Sequence, residues 1–239
     1  MYAFLRIAKT MLAMSGFWIE RLTITWAILG IASLVLVHRT VLRADSPHLS
    51  IGYFVFTLLF YYGGNGVILG SSIPRRLVAH FGERRALRIY ECILAMMFIH
   101  QGLGVGAVTA IAASGDGIMP IARELACGIG GMLFVLGLTV KVWATTVVSV
   151  DIYYYRDMFL NRRIAPFASE GPYKLLSNPM YGVGQLHGYG YAIWNRSLTG
   201  LVAIAVCHAL IYVFYYAVER PFVRRIYHAT EPPALSVVA

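Results

Sequence analysis

The stretch from Cys127 to Val150 reads CGIGGMLFVLGLTVKVWATTVVSV and holds a single charged residue, Lys141, among its 24 residues. A helix of about 20 mainly apolar residues spans the hydrocarbon core of a bilayer. Such a helix satisfies its own backbone hydrogen bonds, which lipid cannot do. The stretch therefore predicts a transmembrane helix. Lys141 is costly in lipid, so we expect it to be paired, directed toward the surface or functional.

Five further apolar runs flank this stretch, namely Leu22 to Val37, Ile51 to Gly70, Cys92 to Ala113, a short run Tyr181 to Trp194, and Leu201 to Val218. The chain of 239 residues is 59% hydrophobic and 13% charged, with a mean hydropathy of +0.67. Soluble domains carry about 25% charged residues. The composition excludes an ordinary soluble fold and predicts an all-α, polytopic transmembrane helix bundle of about six spans.

The basic residues lie in short segments between the apolar runs. Alternate segments hold fifteen and four Lys plus Arg residues, and the richer set includes both termini and the loop after Gly70. Cytoplasmic loops carry such an excess, so both termini are predicted to be cytoplasmic. The net charge of +9 then favours anionic headgroups over nucleic acid as the partner. Three widely spaced cysteines predict neither a disulfide framework nor a metal site.

Two polar motifs lie at the ends of a predicted helical hairpin. The first ends in Ser177, Asn178, Pro179, Met180 and Tyr181, and the second reads Glu219, Arg220, Pro221 and Phe222. Antiparallel helices of similar length bring their outer ends together, so Asn178, Tyr181 and Glu219 should share one patch at the cytoplasmic surface. A simple helix-entry turn and a solvated helix end would explain the same residues without any function.

The two motifs together resemble the C-terminal half of phosphatidylethanolamine N-methyltransferases, and the resemblance covers about Gly131 to His228. The related isoprenylcysteine carboxyl methyltransferases have Arg, His, Pro, any residue and Tyr in the first motif, so Met180 favours the phospholipid branch. The family has two adjacent glutamates in the second motif. In this chain Arg220 stands in the position of the second glutamate.

The resemblance implies an S-adenosylmethionine-dependent enzyme that methylates phosphatidylethanolamine and its mono- and dimethyl forms toward phosphatidylcholine. It implies cofactor binding by Asn178, Pro179, Tyr181, Gly182, Glu219 and Arg220. We expect substrate contacts from Lys141 and Tyr154, and no metal. The acceptor amine must lose a proton before it attacks, and the candidates for a general base are Asp157, His187 and Tyr181. A helix-to-helix hydrogen bond would also explain His187.

The apolar runs predict an N-terminal interfacial segment (1–21) and three spans (22–125), and the resemblance adds a methyltransferase core with a cofactor-binding C-terminal hairpin (126–228), followed by a C-terminal tail (229–239). The expected location is a multi-pass position in a bacterial inner membrane or the endoplasmic reticulum. Three alternatives stay open: methylation of a prenylcysteine carboxylate or a small thiol, reduction of a sterol double bond, and a non-enzymatic scaffold or transport protein.

Overall fold

The computed structural model describes residues 2–17, 23–44, 46–111, 117–166 and 168–228. Across these ranges the chain is helical, and its β-structure is limited to one isolated bridge between Ile118 and Ser197. The predicted all-α class is confirmed. The predicted tail 229–239 lies outside the described residues, as do residues 18–22 and 112–113 at the edges of predicted segments.

The helices of the described ranges are α1 Tyr2–Met14, α2 Ile24–Val37, α3 Pro47–Leu58, α4 Asn65–Gly70, α5 Ile73–Phe81, α6 Glu83–Ala110, α7 Arg123–Val148, α8 Val150–Tyr153, α9 Arg156–Leu160, α10 Leu186–Trp194, α11 Leu198–Phe214 and α12 Arg220–Val223. Wider π turns prolong several of them, at His38–Leu42, Leu59–Gly64, Tyr215–Glu219 and Arg224–His228. Hydroxyl caps set four of the starts: the Oγ of Ser197, for example, accepts the N–H of Gly200 at 2.9 Å.

Five helical stretches are long and apolar enough to cross a membrane: Ile24–Leu42, Pro47–Gly70, Glu83–Ala110, Arg123–Val148 and Leu198–Tyr227. The short predicted run has a 3₁₀ turn at Val183–Gln185 and is α-helical only over α10, which packs along α7. At one end of this run Tyr181 contacts Glu219, and at the other Arg196 accepts a backbone hydrogen bond from Met119. The run thus covers the length of the hairpin, while the number of membrane crossings stays a prediction.

Glycines let α10 approach α7 at backbone distance. A Cβ at Gly137 would overlap the backbone nitrogen of His187, and one at Gly190 would overlap that of Phe134. Small residues at helix contacts are typical of membrane bundles. This packing fixes the position of the first motif relative to Lys141 on α7.

One end of the bundle collects the basic segments. Arg6 of α1 donates to the carbonyl of Thr146, and Arg162 bonds Glu83 at 2.6 Å. Buried there, Glu91 of α6 pairs with Arg156 of α9 at 2.9 Å. The N-terminal and C-terminal halves therefore meet at this end, which is also the end that carries Glu219. Its orientation toward the cytoplasm stays a prediction.

Candidate functional site

The first motif forms a tight turn that leads into α10. The side-chain oxygen of Asn178 accepts the N–H of Tyr181 at 3.2 Å, and its backbone oxygen accepts the N–H of Gly182 at 2.9 Å. Pro179 is fully buried, and its carbonyl accepts the N–H of Gly184 at 2.8 Å. Asn178 and Pro179 thus shape the turn that presents the Tyr181 side chain.

The second motif reaches this turn through the hairpin of α10 and α11. The hydroxyl of Tyr181 donates to Oε2 of Glu219 at 2.8 Å. A third member joins them, because the hydroxyl of Tyr155 lies 3.1 Å from that of Tyr181. With the Tyr181 proton directed at the carboxylate, the Tyr155 hydroxyl is the donor to Tyr181. The three side chains form one hydrogen-bonded chain, Tyr155 to Tyr181 to Glu219.

The hydrogen-bonded residues Tyr155, Tyr181 and Glu219 lie between two cavities. Five residues line both of them: Ile152, Tyr155, Met180, Tyr181 and Glu219. We call the cavity of about 290 Å³ toward the basic end the outer cavity, and the one of about 310 Å³ within the bundle the inner cavity. A group bound in one cavity would meet a group bound in the other at the three hydrogen-bonded residues.

The outer cavity has an acidic and aromatic wall. Besides the shared residues it is lined by Asp157, Tyr173, Ser177, Asn178, Tyr215 and Tyr227, among others. Asp157 accepts hydrogen bonds from Tyr227 Oη at 3.0 Å and from the Met158 N–H at 2.8 Å. Burial raises the pKa of Asp157, against the lowering effect of these two bonds. With Asp157 and Glu219 on its wall, this cavity suits a cationic guest.

The inner cavity carries a cation instead. Lys141 lines it, and the ammonium group makes no hydrogen bond or ion pair with any described residue. His187 lines it too, with Nδ1 bonded to the Gly184 carbonyl at 2.6 Å. Because Nδ1 must be the donor to that carbonyl, Nε2 of a neutral His187 is left as an acceptor. The cation suits an anionic group such as a phosphate.

The structure thus brings Asn178, Tyr181, Glu219 and Asp157 to the outer cavity, and Lys141 and His187 to the inner one. Pro179 and Gly182 shape the turn and line neither cavity.

Two other residues predicted to bind substrate or cofactor, Tyr154 and Arg220, line neither cavity. The Tyr154 side chain is fully buried and donates to the carbonyl of Ala13 at 2.8 Å, away from both cavities. The guanidinium of Arg220 stacks over the ring of Tyr216 at 5.3 Å and lines neither cavity. Successive side chains of an α-helix point in directions about 100° apart, so Arg220 points away from the cavities that Glu219 lines.

Sequence reasoning missed Tyr155, Gln101 and Tyr62, which all line the inner cavity. Tyr155 is one of three consecutive tyrosines, a pattern typical of the aromatic belt at a membrane interface, so the sequence does not distinguish it from Tyr153 and Tyr154. Tyr155 turns inward because its backbone is in the left-handed region, with φ 53°, and a sequence does not show this. Gln101 carried a signal, as a polar residue inside the apolar run Cys92 to Ala113.

Residues 125–230, which supply α7 to α12 and both motifs, match one family model. That family is the phospholipid methyltransferases. The resemblance drawn from the two motifs is thereby confirmed for the phospholipid methyltransferase segment, 125–230.

Curated relatives match over the same part of the chain. The phosphatidylethanolamine N-methyltransferase of Clavispora lusitaniae is 31% identical over 100 residues, which are 41% of this chain and 12% of that protein. The phosphatidylethanolamine N-methyltransferase of Lodderomyces elongisporus is 32% identical over 101 residues, which are 42% of this chain and 11% of that protein. The chain thus spans only a small part of the length of these relatives. No solved structure was found to match the chain.

Proposed function

We propose that this protein is an S-adenosylmethionine-dependent methyltransferase that methylates the amine of phosphatidylethanolamine and of its mono- and dimethyl forms. The observation that carries the proposal is the pair of cavities, one acidic and one with a lone cation, that meet at Tyr155, Tyr181 and Glu219. The family match and the names of the relatives support a phospholipid as the substrate.

The outer cavity fits the cofactor by charge. S-adenosylmethionine supplies an electrophilic methyl group on a cationic sulfonium and carries an ammonium as well. Asp157 and Glu219 complement those positive charges, and the rings of Tyr173 and Tyr215 line the same wall. Oε2 of Glu219 is engaged by Tyr181, which leaves Oε1 for the cofactor.

The inner cavity fits the acceptor headgroup. Lys141 would contact the lipid phosphate, which gives this partly buried lysine the ion pair that it does not make with any described residue. A lipid in the cytoplasmic leaflet can bring its headgroup to this cavity while its acyl chains stay in the bilayer. Holding the amine at the shared wall makes the transfer effectively intramolecular, and such positioning can remove roughly 7 to 11 kcal/mol of a barrier.

Deprotonation of the acceptor uses the hydrogen-bonded chain. An ethanolamine ammonium has a pKa near ~10, like lysine, and must lose its proton before transfer. The oxygen of Tyr155 accepts the ammonium N–H, the Tyr155 proton moves to Tyr181, and the Tyr181 proton moves to Glu219. Burial and the neighbouring Tyr181 raise the pKa of Tyr155 well above its usual value, so this phenol relays a proton while staying neutral at rest. Asp157, which lines only the outer cavity, is assigned to the cofactor side.

Expression in a bacterial host that contains phosphatidylethanolamine but no phosphatidylcholine tests the proposal. We expect lipid extracts to contain mono-, di- and trimethylated phosphatidylethanolamine, and the Glu219→Ala chain to produce none. Unchanged lipids, together with methylation of an added prenylcysteine or small thiol, would replace the proposed substrate. Unchanged lipids and no bound S-adenosylhomocysteine in the purified protein would favour a non-enzymatic role.

A further inference from the structure

A second polar group of the inner cavity comes from the N-terminal half of the chain, outside the phospholipid methyltransferase segment. Gln101 of α6 and Tyr62 of the π turn after α3 both line this cavity, opposite residues of α7 and α11. The Nε2 of Gln101 lies 2.9 Å from the hydroxyl of Tyr62 and 3.8 Å from the sulfur of Cys207.

The hydrogen bonds fix which end of the Gln101 amide faces which neighbour. The hydroxyl of Tyr62 lies 2.9 Å from the carbonyl oxygen of Cys207. A carbonyl can only accept, so the single proton of Tyr62 is used there. The Tyr62 oxygen can then only accept from Gln101, and the group that faces it must be the NH₂. The amide oxygen of Gln101 points the other way and has no partner among the described residues.

The surroundings of this oxygen suit an amine. Several aromatic residues line the same cavity, among them Tyr61, Phe98, Tyr153 and Tyr155. The Phe98 ring centroid lies 5.5 Å from that of Tyr61 and 5.2 Å from that of Tyr153. Aromatic faces attract ammonium groups whatever their degree of methylation. An amide oxygen, in contrast, can accept a hydrogen bond only from an ammonium that still has an N–H, because a quaternary ammonium has no donor.

We propose that the Gln101 amide oxygen binds the N–H of the acceptor amine, and that Tyr62 orients the amide for this contact. The inference rests on the proposed function and adds a specificity determinant to it. Acceptors with one or more N–H gain the hydrogen bond. The quaternary product has none, so it is held only by Lys141 and the aromatic faces and leaves more readily.

Binding without cofactor tests the inference. Short-chain phosphatidylethanolamine, its mono- and dimethyl forms and phosphatidylcholine, all with the same acyl chains, are titrated into the purified full chain in detergent by calorimetry. Wild type should bind the three N–H lipids more tightly than phosphatidylcholine. Gln101→Leu should weaken phosphatidylethanolamine binding about tenfold or more, the usual effect of losing a hydrogen bond to a charged group, and leave phosphatidylcholine unchanged.

Two further variants sharpen the result. Tyr62→Phe keeps Gln101 but removes the hydrogen bond that orients its amide. It should therefore reduce, but not abolish, the preference for lipids with an N–H over phosphatidylcholine. Tyr189→Phe is the control: Tyr189 lines neither cavity, and its hydroxyl lies 3.0 Å from Nδ1 of His208. We expect its preference to equal that of wild type. Thermal unfolding of each variant shows that it is folded.

The inference is overturned if Gln101→Leu keeps the wild-type preference, or weakens all four lipids equally. The proposed function is judged separately, by transfer of labelled methyl groups to lipid by the wild-type chain. If the chain binds lipids with an N–H more tightly than phosphatidylcholine but transfers no methyl group, the Gln101 site is supported and the proposed methyltransferase function is contradicted.

Discussion

At the residue scale, Glu219 is the central residue of the proposed site. It lines both cavities, and its Oε2 accepts a hydrogen bond from the Tyr181 hydroxyl at 2.8 Å. Its neighbour Arg220 lines neither cavity and contacts Tyr216. In the family the second position of this motif is a glutamate. In the proposed cofactor site, one carboxylate of the motif, together with Asp157 on the wall of the outer cavity, supplies the negative charge.

We therefore expect Glu219→Ala to weaken S-adenosylmethionine binding. Loss of one charge-assisted contact costs roughly 1.5 to 3 kcal/mol, or about ten to a hundred fold in affinity, which calorimetry on the purified protein measures. Arg220→Ala is the control next to it and should bind the cofactor as wild type does. Equal affinity in Glu219→Ala and wild type would remove Glu219 from the cofactor site.

Tyr155 and Tyr154 give a second matched pair. Tyr155→Phe breaks the hydrogen-bonded chain at its first member, and we expect the methyl-transfer rate to fall at least about tenfold, since general acid–base groups contribute roughly 10² to 10⁴. Tyr154→Phe loses the bond to the Ala13 carbonyl, which lies away from both cavities. It should transfer methyl groups at the wild-type rate. A normal rate in Tyr155→Phe would contradict the proton relay.

At the element scale, the contact of α10 with α7 positions the motif turn, and glycines make it possible. A Cβ at Gly130 would lie 2.5 Å from the backbone nitrogen of Trp194, whereas a Cβ at Gly128 would meet nothing within 4 Å. The two residues form a bare Gly-x-Gly pattern, in which only Gly130 faces α10.

Gly130→Ala should therefore lower the thermal unfolding temperature of the purified protein. Overpacking a close contact costs about 1 to 3 kcal/mol. Gly128→Ala should leave stability unchanged or raise it slightly, because alanine favours a helix over glycine by up to about 1 kcal/mol. Destabilisation of equal size by both changes would show that the helix contact is not the reason for the glycine.

The contact between Tyr181 and Glu219 was predictable, because it follows from the lengths of two apolar runs and the turn between them. The inward turn of Tyr155 was not, since it depends on a positive φ that side-chain patterns do not report. Gln101 and Tyr62 were not predicted either. They lie far from the motifs in sequence, and their place in the inner cavity results from the packing of α6 against α11.

At the scale of the whole molecule, the N-terminal half of the chain completes the site. Glu91 of α6 anchors Arg156 at 2.9 Å, next to Tyr155 and Asp157, and α6 supplies part of the inner cavity. The division of the chain into segments 22–125 and 126–228 stays a prediction. Buried side chains of both segments pack together in one hydrophobic core.

The clustering of the basic segments at one end predicts that this end is cytoplasmic. In a chain whose three native cysteines are replaced, Arg84→Cys should react with a membrane-impermeant maleimide only from the cytoplasmic side. Ile118→Cys, at an exposed position beside Ser197 at the other end, should react only from outside. Labelling of Arg84→Cys from outside would invert the topology and place both cavities away from a cytosolic cofactor.

Methyl transfer to lipid is the most direct test of the proposed function. Purified full-length chain in vesicles of phosphatidylethanolamine is supplied with methyl-labelled S-adenosylmethionine, and the label in the lipid fraction is counted between about pH 6 and 9. We predict that label enters phosphatidylethanolamine and its mono- and dimethyl forms, and that the rate rises with pH as the acceptor amine deprotonates near ~10. An unlabelled lipid fraction across this range, from a protein shown to bind S-adenosylmethionine, would contradict the account.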